Sequence, residues 1–134
     1  MALAENTPRT YQVADKEDYL VASGEIIYEG AAVGENTAGY ARALQAADKF
    51  LGFAEFKADN SLGSAGAILV KAKKKGNIIL EVAGSDITSN SRPAVYASDD
   101  GTFTLTSTSN SKIGYVSRWI SGTQCVVEFD SRGI

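Results

Sequence analysis

Residues 113–129 read IGYVSRWISGTQCVVEF, two apolar runs on either side of Ser121-Gly122-Thr123. Runs of this length, rich in β-branched and aromatic residues and separated by a short Gly-containing turn, predict a β-hairpin. In the second run Cys125, Val127 and Phe129 alternate with Val126 and Glu128, so in a strand they share one face. A free cysteine at such a position reads as a small buried hydrophobe. A nucleophilic cysteine needs a lowered pKa and a partner base, and the chain contains no histidine.

The same pattern continues upstream. Phe103 and Leu105 alternate with Thr104 and Thr106 after Asp99-Asp100-Gly101, whose Asp-Gly step tolerates the positive φ of a hairpin turn. Residues 94–97 form a short apolar run, 85–92 a polar loop and 78–82 another apolar run. Lys75-Gly76-Asn77 fits either a tight hairpin or one long strand kinked at Gly76. Ile68, Val70 and Ala72 alternate with Leu69, Lys71 and Lys73, the period of a strand. Residues 59–66, DNSLGSAG, are a loop by composition. Residues 50–56 carry large apolar groups on both faces, as a strand covered on two sides does. Residues 26–28 and 31–33 are further short runs. One segment objects: residues 41–49, ARALQAADK, have strong helix propensity. A helical turn and a strand ending at Leu44 both fit it. Roughly eight to ten short strands at these spacings predict an all-β fold, a small barrel or sandwich. Its core is expected to hold Phe53, Val70, Leu80, Val95, Ile113, Val116 and Val127.

At 134 residues, one domain is expected. Residues 1–18 differ from the rest: they are polar, carry Pro8 and offer only Tyr11 and Val13 as anchors, so they read as an extended N-terminal arm on a β domain spanning 19–134. No apolar run approaches the roughly 18 residues of a membrane span, and residues 1–9 lack the charged-then-apolar pattern of a signal peptide. Synthesis in a cytosol is the corresponding expectation.

Chemistry-bearing patterns are scarce. Without histidine the commonest general base and the commonest metal ligand are missing, and a single cysteine allows neither an intrachain disulfide nor a Cys-based metal cage. Asp59-Asn60-Ser61 and Asp99-Asp100 look like calcium loops, but the twelfth residue counting from Asp59 as the first is Val70, not the bidentate Glu an EF-hand requires. The glycines of residues 63–66 lack the Lys-Ser/Thr ending of a phosphate loop. No catalytic residue, cofactor or metal site is expected. Lys71, Lys73, Lys74 and Lys75 form the densest charge cluster. With a formal net charge of −3 the chain is a poor nucleic-acid binder, so this run reads as a solvated strand or a contact with an acidic protein surface. An exposed aromatic platform around Trp119, Tyr115 or Tyr40 would instead suit a carbohydrate- or host-surface-binding module.

The order of segments carries a resemblance. It runs through residues 27–34 (IYEGAAVG), 50–55 (FLGFAE), the Asp59-Asn60 loop and its Gly-rich continuation, 93–104 (PAVYASDDGTFT), 113–116 (IGYV) and 126–129 (VVEF). Over roughly Thr10 to Asp130 this resembles a family of small head proteins of siphophages and Mu-like prophages, taken to be capsid decoration or cement proteins. They share the functional class of the lambda head-decoration protein. The resemblance implies a β-barrel or sandwich core and a structural role without catalysis. It also implies binding to major capsid protein on the outer surface of an expanded head, within a virion assembled in the bacterial cytoplasm. It points to a homotrimer, with a dimer as the alternative. The Lys-rich strand is more basic than the family pattern. In such a protein the arm is the natural contact: Arg9, Tyr11 and Val13 point one way in an extended chain, and with Thr10 they would meet the capsid, the Lys71–Lys75 strand being the second contact.

Overall fold

The computed structural model describes residues 2, 4–10, 12 and 14–132. Among these the chain forms an all-β body with a closed five-stranded barrel and an adjoining sheet. The terminal hairpin is present as β11 (Ser111–Ser121) and β12 (Gln124–Asp130). Cys125, Val127 and Phe129 are all buried, as their alternation requires. On β11 the inward residues are Ile113, Val116 and Trp119, spaced by three. Bulges between Lys112 and Gly114, Val116 and Arg118, and Trp119 and Ser121 absorb the extra residues and curl the strand around the barrel.

The barrel runs in the order β10 (Phe103–Thr104), β8 (Lys75–Ala83), β12, β11 and β9 (Ala94–Ala97). It closes through a short parallel pairing of Phe103 and Thr104 with Val82 and Ala83. The turn before β10 is built otherwise than its Asp-Gly step suggests. Gly101 does not take a positive φ. Instead the Asp99 carboxylate accepts its N–H at 2.9 Å, an Asx turn. The polar loop ahead of β9 winds into a 3₁₀ turn, Ile87–Ser91, capped by the Asp86 carboxylate.

The second sheet is antiparallel, in the order β1 (Lys16–Leu20), β7 (Leu69–Lys73), β5 (Lys49–Ala54), β3 (Ala32–Glu35) and β4 (Ala41–Ala43). β1 takes in the last three residues of the segment read as an arm. The two edges of this sheet approach each other at a bridge between Val21 and Ala41. The short pair β2 (Ile26–Ile27) and β6 (Ala58–Asp59) adds Ile27 and Ala58 to the second core. The helix-prone stretch is a strand ending in a turn. β4 stops at Ala43, and Asp48 N–H returns to the Gln45 carbonyl at 2.9 Å. Asp48 then grips Arg42 through two hydrogen bonds of 3.0 and 2.8 Å, a tertiary arrangement that overrides local propensity.

Two hydrophobic cores result, and β5 lies between them. Phe50 and Phe53 enter the barrel core, while Leu51 and Ala54 enter the other. Strict alternation would put Phe50 and Phe53 on opposite faces. A bulge at Leu51-Gly52 restores them to one side. Gly52 makes this possible: its φ is +139°, and a Cβ there would stand 2.3 Å from the Lys73 carbonyl oxygen. Phe50, Phe53, Phe103 and Phe129 then pack as tilted and edge-on rings with centroids 4.9–6.3 Å apart, a favoured aromatic geometry. Both faces of β5 are thus covered within one chain.

β7 and β8 are one kinked strand, the second of the two readings of Lys75-Gly76-Asn77. β7 belongs to the open sheet and β8 to the barrel, and Gly76 has a φ of +145°. Lys74 stands at the break. Its N–H donates to the Asp15 carbonyl at 2.7 Å, and its carbonyl accepts from Ser131 N–H at 2.8 Å.

Candidate functional site

The Lys74 junction brings the start and the end of the described body side by side. Asp15 precedes β1 and Ser131 follows β12, and both bond to the backbone of the same residue. Here the change of sheet and the bend at Gly76 leave a cleft of about 530 Å³ lined by Asp15, Lys73, Lys75, Asn77, Tyr115 and Glu128 over the Phe129 ring. A second cleft, of about 400 Å³, shares Lys73, Asn77 and Phe129 with it and extends to Phe53, Phe56 and Ile78. A third shares Tyr115 and Glu128 and extends to Arg92 and Ser117. Joined through these shared residues, they form one furrow from Phe56 to Arg92, its Phe56 end lined by side chains of the barrel core.

The lysine run surrounds the first part of this furrow. Alternation along β7 points Lys71 and Lys73 outward, and Lys75 is likewise exposed, while Lys74 is half-buried at the kink. Carboxylates accompany them. Lys71 lies 3.7 Å from Asp18, and the neighbouring Lys16 lies 3.2 Å from Glu55. Lys73 and Lys75 have no carboxylate within 4 Å among the described residues. Below them Asp130 is nearly buried. Burial pushes its carboxyl upward, but hydrogen bonds from Arg132 and the charges of Arg132 and Lys75 outweigh that and hold it below the usual range. This interleaving of signs suits contact with a mixed-charge protein surface. A phosphate backbone calls for an uncompensated basic stripe.

Of the four arm residues expected to meet a partner, Arg9 and Thr10 are exposed and outside any strand. Tyr11 and Val13 lie outside the described residues. Residues 4–10 are exposed throughout.

The three aromatic residues considered as a platform do not share a surface. Trp119 packs against the barrel core, its Nε1 donating to the Gly122 carbonyl at 2.8 Å and its backbone N–H to Asn90 Oδ1 at 2.8 Å. Tyr115 faces outward with the Lys112 ammonium 4.4 Å from its ring centroid. Tyr40 is half-buried beside Gly66. Cys125 is fully buried in the barrel. Among the described residues no three His, Cys, Asp or Glu side chains gather as a metal site.

Sequence reasoning named Lys73 and Lys75 but missed Asn77, Glu128 and the furrow itself. The available signal was Gly76, read as a choice between turn and kink; only the kink opens a cleft. Comparison with protein-family models, with curated proteins and with solved structures finds no match for this chain.

Proposed function

We propose that the chain is a structural decoration protein that binds major capsid protein on the outer surface of a phage head and stabilises the expanded shell, acting as an oligomer on the virion and catalysing nothing. The order of segments that resembles the head-decoration family motivates this reading. The observation that carries it is the convergence at Lys74: the root of the N-terminal segment at Asp15, Lys73 and Lys75 interleaved with carboxylates, and the furrow meet at one corner of a body otherwise committed to two packed cores. A cement protein requires that combination of a rigid block and an adaptable contact. The arm can add a strand to a sheet edge of the capsid through main-chain hydrogen bonds. Many weak contacts on one shell then sum to firm attachment. Arg9, Thr10, Tyr11 and Val13 are the primary contact in this proposal, and Lys71, Lys73, Lys74 and Lys75 the secondary one.

The test is to mix the purified protein with expanded heads that lack it and to sediment the heads. Saturable co-sedimentation supports the proposal. Its absence, together with specific retention on a glycan array, would establish the carbohydrate-binding alternative instead.

A further inference from the structure

Strand β1 lies at the edge of the open sheet and, as a strand, pairs on one side only, with β7. The register fixes which main-chain groups are left over. The Asp15 carbonyl accepts from Lys74 N–H at 2.7 Å, and Val21 N–H donates to the Ile68 carbonyl at 3.0 Å. Both pairs continue the β1–β7 register, so the odd-numbered residues turn their N–H and C=O groups toward β7. Those of Lys16 and Asp18 turn the other way. Among the described residues one group serves them, the Glu17 carboxylate, which accepts from Asp18 N–H at 3.1 Å. Beyond Leu20 the edge is covered, since Val21 bridges to Ala41 and Ala22 N–H donates to the Ala41 carbonyl at 2.9 Å. An open stretch of edge is a template for another strand.

The side chains along this edge select the strand that fits it. Lys16 and Asp18 share the outer face with their cross-strand partners Lys73 and Lys71. Lys16 lies 3.2 Å from Glu55, and Asp18 lies 3.7 Å from Lys71, all four side chains being partly exposed. The Asp18 end is thus balanced, while the Lys16 end, with Lys73 beside it and Glu55 opposite, keeps an excess of positive charge. A second copy of the edge, laid antiparallel and centred on Glu17, sets Asp18 of each copy against Lys16 of the other. Centring on Asp18 would set Asp18 against itself, and centring on Tyr19 would run each strand onto the covered end of the other. The opposite face carries Glu17 and Tyr19. There Glu17 meets its own copy at the axis, a like-charge contact that weakens the pairing, and its carboxylate must release Asp18 N–H.

We propose that two copies of the chain join edge to edge through β1, antiparallel about a two-fold axis at Glu17, so that the open sheet of one continues into that of the other. Each Lys16–Asp18 pair exchanges two main-chain hydrogen bonds and adds an ion pair, and the symmetry makes each twice. The contact is isologous, so it closes at two copies. Lys16, Glu17 and Asp18 lie outside the residues assigned to head attachment, so the inference concerns self-association.

Sedimentation velocity on the purified full chain, from micromolar to several hundred micromolar, tests it. The wild type should pass from monomer to dimer as concentration rises, with nothing larger. Asp18→Pro removes an edge N–H without touching the bonds to β7, a position where proline is tolerated, and should weaken the dimer about ten-fold or more. Lys16→Asp and Asp18→Lys each set like charges against one another across the axis and should weaken it about as much. An equimolar mixture of these two restores opposite charges at both pairs and should recover a heterodimer. Glu17→Ala removes the like-charge contact and the competitor for Asp18 N–H, and should tighten the dimer about three-fold. Thermal midpoints show which variants are folded, and the charge variants decide the matter should the proline variant not fold. A wild type that stays monomeric, a folded Asp18→Pro variant that dimerises normally, or a mixture of the charge variants that stays monomeric would overturn the proposal. Because no heads are present, failure here leaves the reading of head binding standing.

Discussion

Asp48 shows how a single side chain fixes a local path. Its carboxylate accepts from Arg42 Nε and Nη2 and from the Gln45 N–H. Burial pushes its pKa upward, and the Arg42 hydrogen bonds and charge with the Gln45 N–H outweigh that, so the folded value lies below the ordinary one. A depressed folded pKa contributes stability that is full above the unfolded value of about 4 and is lost as pH falls through the folded value. Asp48→Asn should therefore destabilise the protein at neutral pH and flatten the fall in stability below about pH 4, measured by urea unfolding at several pH values. Ser111 is the opposite case. It is buried at the start of β11 and its hydroxyl has no hydrogen-bond partner among the described residues. An unpaired buried polar group costs roughly 1–3 kcal/mol, so Ser111→Ala should raise stability, by about 1 kcal/mol. A loss of stability would reveal a partner for the hydroxyl. Neither role was legible beforehand: the Arg42–Asp48 pair depends on where β4 ends, and the burial of Ser111 on which strands flank it.

At the scale of the element, β5 depends on Gly52. Substituting Ala demands both a strained φ and relief of a clash with the Lys73 carbonyl. Each contributes roughly 1–3 kcal/mol, so Gly52→Ala should cost at least about 2 kcal/mol. A change under half of that would mean the bulge can relax. The strands themselves were largely readable. Period-two alternation placed Val70 and Ala72 of β7 and Cys125, Val127 and Phe129 of β12 correctly inside. Six of the seven expected core residues are buried, and Leu80 is half-buried against the barrel core. Bulges were not readable, because one inserted residue shifts the facing of all that follow. That is why the inward set on β11 runs 113, 116, 119. The apolar groups on both faces of 50–56 were legible as a strand covered twice. The sequence could not say that both covers belong to the same chain.

For the whole molecule, two cores meet along shared elements. β5 contributes side chains to both, and the kinked strand 69–83 runs from one sheet into the other. The body should therefore unfold in one transition, with equal calorimetric and van't Hoff enthalpies; two resolved transitions would mean the cores are independent. Partition into a closed barrel and an open sheet was beyond the sequence, since strand order rests on long-range pairings that no local pattern encodes. The candidate site was half legible for the same reason: its lysines stand out in the chain, but the furrow exists only where distant strands converge.

The claim that this body is a head-binding block with a separable arm is tested most directly by saturation co-sedimentation with expanded heads, comparing the intact chain with a variant lacking residues 1–10. These residues precede β1, and those described are exposed, so their removal should leave the thermal midpoint nearly unchanged. The account predicts that the intact chain saturates the heads at a fixed ratio to major capsid protein, and that the shortened chain, equally folded, binds more weakly. An intact chain that stays in the supernatant at every concentration would contradict it.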